Sequence, residues 1–164
     1  SVSHEPILME GKTYKKLQKN LLMFYTGTTR SANTILAEQT KNITSEDKAK
    51  NLLKMCGLAK DMKVALENND ISSFGKILDE GWQLKKELAS GIANPAIDEA
   101  YDIAMKNGAL GGKLLGAGGG GFLLFYCEEE KQEQLKKAIV LRELEFTFER
   151  DGTSVIYIGD KYWD

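Results

Sequence analysis

Five glycines stand among the six residues 116–121, and this run is the feature of the sequence with the clearest capacity for chemistry. Without side chains in the way, consecutive backbone N–H groups can surround an anion such as phosphate. A plain hairpin loop needs only one or two glycines, and each further glycine adds to the entropy lost when the loop becomes ordered. The surplus indicates either a backbone that lies close to another group or enforced mobility. We interpret the loop as lying near a phosphate in preference to a simple connecting loop.

Two familiar nucleotide motifs overlap with the glycine run, and neither fits its surroundings. The spacing matches Gly-x-Gly-x-x-Gly, but a helix must follow that dinucleotide motif at once. The apolar run Phe122–Cys127 follows here and is typical of a strand. A P-loop requires a Lys and a Ser or Thr directly after its last glycine, whereas this chain has Phe122 and Leu123. The context excludes both motifs.

Two basic side chains lie where they can reach a phosphate. Lys113 precedes the glycine run on a short apolar strand, where it can act as a point charge or remain solvated, and its spacing does not decide between the two. Arg30 follows a strand end at Thr26 and Gly27, and a guanidinium there can bind a phosphate through two hydrogen bonds. A surface arginine at the start of a helix is the simpler interpretation of the same residue.

The other residues of chemical interest favour structural roles. We expect Trp82 to lie in the core beside a helical apolar stripe, and Lys85 and Lys86 to be solvated. Cys56 and Cys127 are the only cysteines, and both are predicted to be small buried side chains. With a single histidine in the sequence, no zinc site of the Cys/His type is predicted.

The composition is that of an ordinary globular domain. At 164 residues, with 42% apolar and 28% charged side chains, the chain has the length and mixture of one domain with a sizeable core. The net charge is −2 and basic residues are interspersed with acidic ones, so we predict neither a nucleic-acid nor a membrane surface. We expect no signal peptide, because the N-terminus is polar, and a cytoplasmic location.

Apolar residues at spacings of three and four predict helices over most of the chain. In chain order these helices cover residues 31–39, 45–66, 70–91, 94–107 and 128–139. Hydrogen-bonding caps are predicted at Thr44 or Ser45, at Asp70, and at Asn94 before a proline, and Gly91 is predicted to end the third helix. Core-facing positions are predicted at Ile35, Leu36, Ala49, Leu52, Leu53, Cys56, Ala59, Met62 and Leu66.

A period of two predicts the strands, which lie at the two ends of the helical region. They cover residues 21–25, 113–115, 122–127 and 144–148. Asp151 and Gly152 form a two-residue hairpin signal before a last strand at 153–158. About five strands and five helices in this order predict an α+β fold with an antiparallel sheet.

The segment Gly111-Gly-Lys-Leu-Leu-Gly-Ala-Gly-Gly-Gly-Gly-Phe resembles the third conserved motif of the GHMP kinases, which include galactokinase and the homoserine, mevalonate and phosphomevalonate kinases. The lysine, the spacing, the glycines and the following apolar strand agree together. Tyr25-Thr-Gly-Thr-Thr-Arg-Ser-Ala, Trp82-Gln-Leu-Lys-Lys and Asn94-Pro-Ala-Ile-Asp are most similar to the branch that acts on D-glycero-D-manno-heptose 7-phosphate. The resemblance extends from about Leu21 to Ile158.

This resemblance implies that the chain is the C-terminal half of a two-lobed kinase. The family's N-terminal lobe carries a Pro-x-x-x-Gly-Leu-(Gly/Ser)-Ser-Ser motif and an acidic residue that handles the acceptor hydroxyl, and no such motif occurs here. Residues 1–20 are then a segment arriving from that missing lobe, and residues 21–164 are the C-terminal domain with a ferredoxin-like antiparallel sheet. The partner lobe is expected on the same or a separate chain, and a truncated lobe can also form a homodimer through exposed apolar surface.

The resemblance also assigns site residues and cofactors. It implies that the loop faces the phosphates of ATP, with Mg²⁺ as the second cofactor, and that the chain itself holds no catalytic residue and no metal ligand. The expected ATP-phosphate residues are Lys113, Gly116, Ala117, Gly118, Gly119, Gly120 and Gly121, and the expected substrate-binding residues are Thr26, Gly27, Arg30 and Ser31.

The sequence leaves two functions open. The first is half of an ATP-dependent sugar or sugar-phosphate kinase, as a fragment or as one chain of a split enzyme, inactive by itself. The second is a free-standing ferredoxin-like binding or regulatory module without catalysis. Galactose, mevalonate-like and heptose acceptors are not separated by these residues, because acceptor contacts in the family lie largely on the other lobe.

Overall fold

A computed structural model describes residues 5–29, 32–42, 45–149 and 155. In chain order the elements of this part are α1 (Gly11–Asn20), β1 (Leu21–Tyr25), α2 (Ala32–Asn42), α3 (Glu46–Glu67), α4 (Phe74–Lys86), α5 (Pro95–Lys106), β2 (Ala109–Leu114), β3 (Phe122–Cys127), α6 (Glu129–Ala138) and β4 (Arg142–Glu143). In these residues no helix is both long enough and apolar enough to cross a membrane.

The four strands form one sheet in the order β2-β3-β1-β4, with every neighbouring pair antiparallel. Strands β1 and β2 both pair with β3, so they run parallel to each other and need a helical crossover. Helices α2 to α5 provide that crossover, and α6 provides the equivalent one from β3 to β4. This double β-α-β arrangement is the ferredoxin-like α+β fold, so the predicted fold class is confirmed.

Alternation along the central strands divides the core between the two faces of the sheet. Phe24 and Phe125 point to one face, where they belong to the larger of two buried clusters together with side chains from α4, α5 and α6. Leu21 and Tyr126 point to the other face and form a smaller cluster. The larger cluster includes Trp82, which is 1% exposed, so its predicted place in the core is confirmed.

Helix α4 packs directly on strand β2 through two glycines. A Cβ atom added to Gly111 would lie 1.8 Å from the carbonyl oxygen of Gly75, and one added to Gly75 would lie 2.7 Å from Cβ of Leu110. The two backbones therefore touch, and any side chain at either glycine would separate them. This contact fixes the position of α4 beside the strand that leads into the glycine loop.

Two of the three predicted helix caps are confirmed. Ser45 accepts a hydrogen bond from the Lys48 amide, and Asn94 accepts one from the Ile97 amide with a proline at the first turn. Asp70 lies further from its helix than predicted, because its carboxylate accepts the amides of Ser72 and Ser73 in a turn before α4 begins. Helix α4 also ends at Lys86 and not at Gly91.

Several side chains predicted to face the core are exposed. Leu36 is 47% and Leu53 is 72% exposed, and Cys56 is also exposed, whereas Cys127 is buried as predicted. Helix α3 packs on the outer side of α4, so only a narrow stripe of the α3 surface contacts the rest of the protein. Its crevice with α4 is lined from α3 by Met55, Leu58, Ala59 and Met62.

The last described segment departs from the predicted strand at 144–148. Pairing with β1 continues past β4 for one hydrogen bond, from the Leu144 amide to the Met23 carbonyl. The Phe148 amide then donates to the Gln18 side chain, so the chain has left the sheet for α1. The predicted hairpin at 151–152 and the strand after it lie outside the described residues.

Residues 11–20, expected as a solvated segment, form helix α1. Its four lysines are exposed as expected, but Thr13, Leu17 and Asn20 are buried. The domain boundary after residue 20 stays a prediction.

We predict that Gly111→Ala lowers the free energy of unfolding by about 2 kcal/mol or more, because the added methyl group must push α4 away from β2. Gly57→Ala on α3 is the matched control, since a Cβ there meets nothing within 4 Å. It should stabilise the chain by roughly 0.5–1 kcal/mol through helix propensity. Urea denaturation followed by tryptophan fluorescence measures both, and equal effects would contradict the close contact.

Candidate functional site

The glycine loop is held against the segment that precedes α5. The Gly119 amide donates to the Ile92 carbonyl at 2.9 Å, and a Cβ on Gly118 would lie 2.7 Å from Cα of Ile92. Gly118 also has a φ of +123°, a conformation that side chains rarely adopt. Asn94, which caps α5, extends its amide to within 3.5 Å of the Gly119 carbonyl. The middle of the loop is therefore held in place by contacts with the protein backbone.

The far end of the loop is joined to the residues that follow β1. The Gly121 amide donates to the Thr28 carbonyl at 2.8 Å, and its own carbonyl accepts the Thr26 amide at 2.9 Å. The Thr26 hydroxyl lies 3.1 Å from the Gly121 amide and 3.0 Å from the Gly121 carbonyl. A Cβ on Gly120 would lie 2.7 Å from the Thr28 carbonyl oxygen. The loop and the 26–28 segment thus form one unit.

These contacts divide the loop amides into two groups. Those of Gly119 and Gly121 are already bonded to protein carbonyls. The other four loop amides donate to no protein acceptor in the described part of the chain. They belong to Gly116, Ala117, Gly118 and Gly120. At the start of the loop Gly116 is exposed, with nothing within 4 Å of its added Cβ. The loop therefore retains N–H donors that an anion can accept.

Lys85 reaches the start of the loop from α4. Its ammonium donates to the Gly116 carbonyl at 2.5 Å, although the sequence predicted a solvated side chain. Lys85 and Lys113 both line the crevice between α3 and α4. Burial, followed by the neighbouring charge of Lys113, lowers the pKa of Lys85. The two lysines thus lie close enough for their positive charges to repel each other.

Lys86 also differs from the solvated position predicted for it. Its ammonium lies 3.3 Å from the Asp98 carboxylate and 5.8 Å and 5.9 Å from the ring centroids of Trp82 and Tyr101. An ion pair and two cation–π contacts fix this charge on the α4–α5 interface. Lys86 is therefore a structural residue, unlike its neighbour Lys85.

A buried hydroxyl supports the strand that leads into the loop. Tyr101 on α5 donates to the Asp79 carboxylate at 2.6 Å and accepts the Gly112 amide at 3.1 Å. Burial and the adjacent carboxylate raise the pKa of Tyr101 above its usual value. This arrangement ties α4, α5 and β2 together two residues before Leu114.

The structure describes some of the sequence-predicted site residues. Thr26 is bonded to the loop end at Gly121, and Gly27 follows it. Lys113 lines the crevice between α3 and α4 together with Lys85, while Arg30 and Ser31 lie outside the described residues. Sequence reasoning missed Lys85 and Ile92. The position of Lys85 on an apolar helix face was a signal that it is not simply solvated. The contribution of Ile92 is its backbone carbonyl, which leaves no signal in the sequence.

Comparison with known proteins identifies the family to which this chain belongs. The family model described as "GHMP kinases C terminal" matches residues 62–144, half of the chain, including α4, α5 and the whole glycine loop. The chain belongs to the GHMP kinases. The earlier assignment by resemblance is thereby confirmed.

Individual relatives of this GHMP kinase domain are sugar and mevalonate kinases. A D-glycero-alpha-D-manno-heptose 7-phosphate kinase of Campylobacter jejuni is 29% identical over 90% of the chain and 44% of its own length. An L-fucokinase/L-fucose-1-P guanylyltransferase of Bacteroides fragilis is 36% identical over 59% of the chain and 10% of its own length. The mevalonate kinase structure of Methanococcus jannaschii superposes with a TM-score of 0.65 and 27% identity, covering 83% of this chain and 42% of that one. The chain thus spans less than half of each relative.

We predict that Thr26→Val lowers the free energy of unfolding by about 1 kcal/mol, because its hydroxyl joins β1 to Gly121. Hydrogen exchange at the Gly121 amide should become faster, since one of its two acceptors is lost. Thr28→Val is the matched control, because Thr28 contributes its backbone carbonyl to the loop. If both variants exchange at the wild-type rate, the hydroxyl does not hold the loop.

Proposed function

We propose that this chain is the lobe of an ATP-dependent sugar-phosphate kinase that covers the nucleotide phosphates. The observation that carries this proposal is the loop at 116–121, in which four amides donate to no protein acceptor among the described residues. The Lys85 ammonium binds the start of the same loop at the Gly116 carbonyl. Backbone N–H groups and lysines are donors that phosphate oxygens accept readily. The contacts to Ile92 and Thr28 support this assignment, since they hold the amides in place before ATP arrives.

The described groups of the glycine loop fit a phosphate, because its N–H groups and the Lys85 ammonium are hydrogen-bond donors, which bind anions and not metal cations. In residues 5–29, 32–42, 45–149 and 155, no three His, Cys, Asp or Glu side chains come together as a metal site. When bound, Mg²⁺ neutralises charge that develops on the phosphates during transfer. Its ligands and the group that activates the acceptor hydroxyl would then come from the N-terminal lobe. This chain would position the triphosphate and exclude water from it.

For the acceptor, we infer a sugar phosphate of the heptose 7-phosphate class. This inference is supported by the name of the Campylobacter relative, which is similar along 90% of the chain. The residues expected to contact the acceptor follow β1, and Thr26 in that segment is bonded to the loop. An acceptor held there would lie next to the nucleotide phosphates, as direct transfer requires. A galactokinase-like acceptor is the alternative within the same reaction class.

We predict that phosphoryl transfer requires an N-terminal GHMP lobe in addition to this chain. With that lobe present, on the same or a separate chain, ATP and Mg²⁺ should support ADP release with heptose 7-phosphate more efficiently than with galactose or mevalonate. The 164-residue chain alone should stay at the background rate, because we propose that the base and the metal ligands belong to the N-terminal lobe. A coupled assay of ADP release measures kcat/KM for each acceptor.

Two results would overturn this function. Turnover by the chain alone at the rate of a complete kinase would mean that the catalytic groups lie within it. A folded two-lobe protein that releases no ADP with any of the sugars would favour the non-catalytic binding module.

We further predict that Arg30→Ala in the complete kinase raises the KM for the sugar phosphate at least several-fold while leaving the KM for ATP unchanged. The reason is the loss of a guanidinium that can pair with the acceptor's phosphate. Arg142→Ala, an exposed arginine on β4, is the control and should change neither constant. An unchanged KM for the sugar phosphate in Arg30→Ala would remove that residue from the site.

A further inference from the structure

The crevice between α3 and α4 has apolar walls and two positively charged side chains. Lys85 lines it from the last turn of α4, and Lys113 lines it from β2. The other lining residues are apolar or aromatic, among them Met55, Met62 and Trp82. The volume of the crevice is about 180 Å³. An apolar cavity of roughly 150 Å³ can bind a benzene molecule, so this crevice has room for one small ring or a short alkyl chain.

The two lysines have no acidic partner in the part of the chain that the structure describes. Six other lysines there form ion pairs with Asp or Glu, whereas neither Lys85 nor Lys113 does. Both side chains are partly buried, and burial together with the positive charge of Lys113 lowers the pKa of Lys85. Like charges that are partly withdrawn from water destabilise each other. An anion bound in the crevice would therefore stabilise both.

The combination of charge and apolar wall selects a class of ligand. A small inorganic anion would pair with the lysines but would leave the apolar wall in contact with water. A neutral hydrocarbon would cover the wall but would take the lysines further out of water without a counter-charge. A molecule with a carboxylate at one end and an apolar body meets both requirements, because an ammonium binds a carboxylate through charge-assisted hydrogen bonds.

The outer wall of the crevice can adjust to such a ligand. Helix α3 has 22 residues, all of which the structure describes, and Leu66 is the one that is buried. An element with so few buried contacts can move at a low cost in free energy. Met55 and Met62 on this wall have flexible, unbranched side chains, which adapt to the shape of a bound group.

We propose that the crevice between α3 and α4 is a binding site for a small carboxylate with one aromatic ring or an alkyl chain of similar size. The apolar body lies between the two helices, and the carboxylate faces Lys85 and Lys113. This site goes beyond the proposed kinase function and does not depend on it. Because the Lys85 ammonium also donates to the Gly116 carbonyl, a ligand that binds Lys85 acts on a side chain that supports the glycine loop.

The methionines of the chain provide a direct measurement of binding. Phenylacetate is titrated into the 164-residue chain while the methionine methyl NMR signals are recorded. The methyl signals of Met55 and Met62, which line the crevice, should shift in a saturable way. Those of Met9, Met23 and Met105, which do not line it, are internal controls and should stay in place. Phenethyl alcohol, of similar size but without charge, should bind more weakly by a factor on the order of ten.

Substitutions separate the contribution of charge from that of space. The double variant Lys85→Gln and Lys113→Gln should weaken phenylacetate binding on the order of tenfold, because both positive charges are lost. Lys76→Gln, on the exposed side of α4, is the matched control and should bind like wild type. Ala59→Leu adds bulk to the wall of the crevice and keeps both charges, and it should also weaken binding. Circular dichroism checks that each variant is folded.

Three results would overturn the site. The first is that phenylacetate shifts neither Met55 nor Met62 in the wild-type chain, or shifts all five methionines alike. The second is equal affinity for phenylacetate and phenethyl alcohol, and the third is wild-type affinity in the folded double lysine variant. None of these measurements requires turnover. A two-lobe protein that releases no ADP would remove the proposed kinase function and leave this site intact, so the two failures are distinguishable.

Discussion

Backbone placed directly against backbone is the constraint on which the region around the loop depends. Gly118 meets Ile92, Gly120 meets Thr28, and Gly111 meets Gly75 at distances that leave no room for a Cβ atom. Because dense packing of this kind leaves little freedom to relax, the loop, the segment after β1 and the start of α5 keep fixed positions relative to one another. Several glycines of this run are therefore needed for the packing of the protein itself. Binding of a ligand would not by itself require a glycine at those positions.

That packing leaves the start of the loop, at Gly116, exposed. The amides of Gly119 and Gly121 donate to protein carbonyls. Two of the four loop amides that have no protein acceptor among the described residues, those of Gly116 and Ala117, lie at the start of the loop. Lys85 brings positive charge to this end of the loop, and Lys113 lines the crevice between α3 and α4 with it. In a site that excludes water, fixed dipoles and charges of this kind stabilise phosphate oxygens without having to reorganise.

We propose that the two lobes of the complete kinase have different roles. The chain spans less than half of each relative reported above. This chain carries a preformed set of N–H and ammonium donors on a ferredoxin-like sheet. Tyr101 fixes the position of β2, the strand that leads into the loop. Donors can be built into one lobe in advance because they need only correct positions. A base and metal ligands must also meet the acceptor hydroxyl, and we assign them to the other lobe.

The sequence by itself determined the class of fold, most of the elements and the location of the loop, because apolar period, caps such as Asn94 and glycine content are local signals. It misplaced Leu53, Cys56, Lys85 and the segment 144–148. A helical period in the sequence shows that one face of a helix is apolar. Whether other elements cover that face depends on how α3 and α4 pack. Only the tertiary structure decided that the Gly119 amide binds the Ile92 carbonyl and that Lys85 binds the Gly116 carbonyl. Every residue has a backbone oxygen, and distant elements bring a donor to a particular one only when the chain is folded.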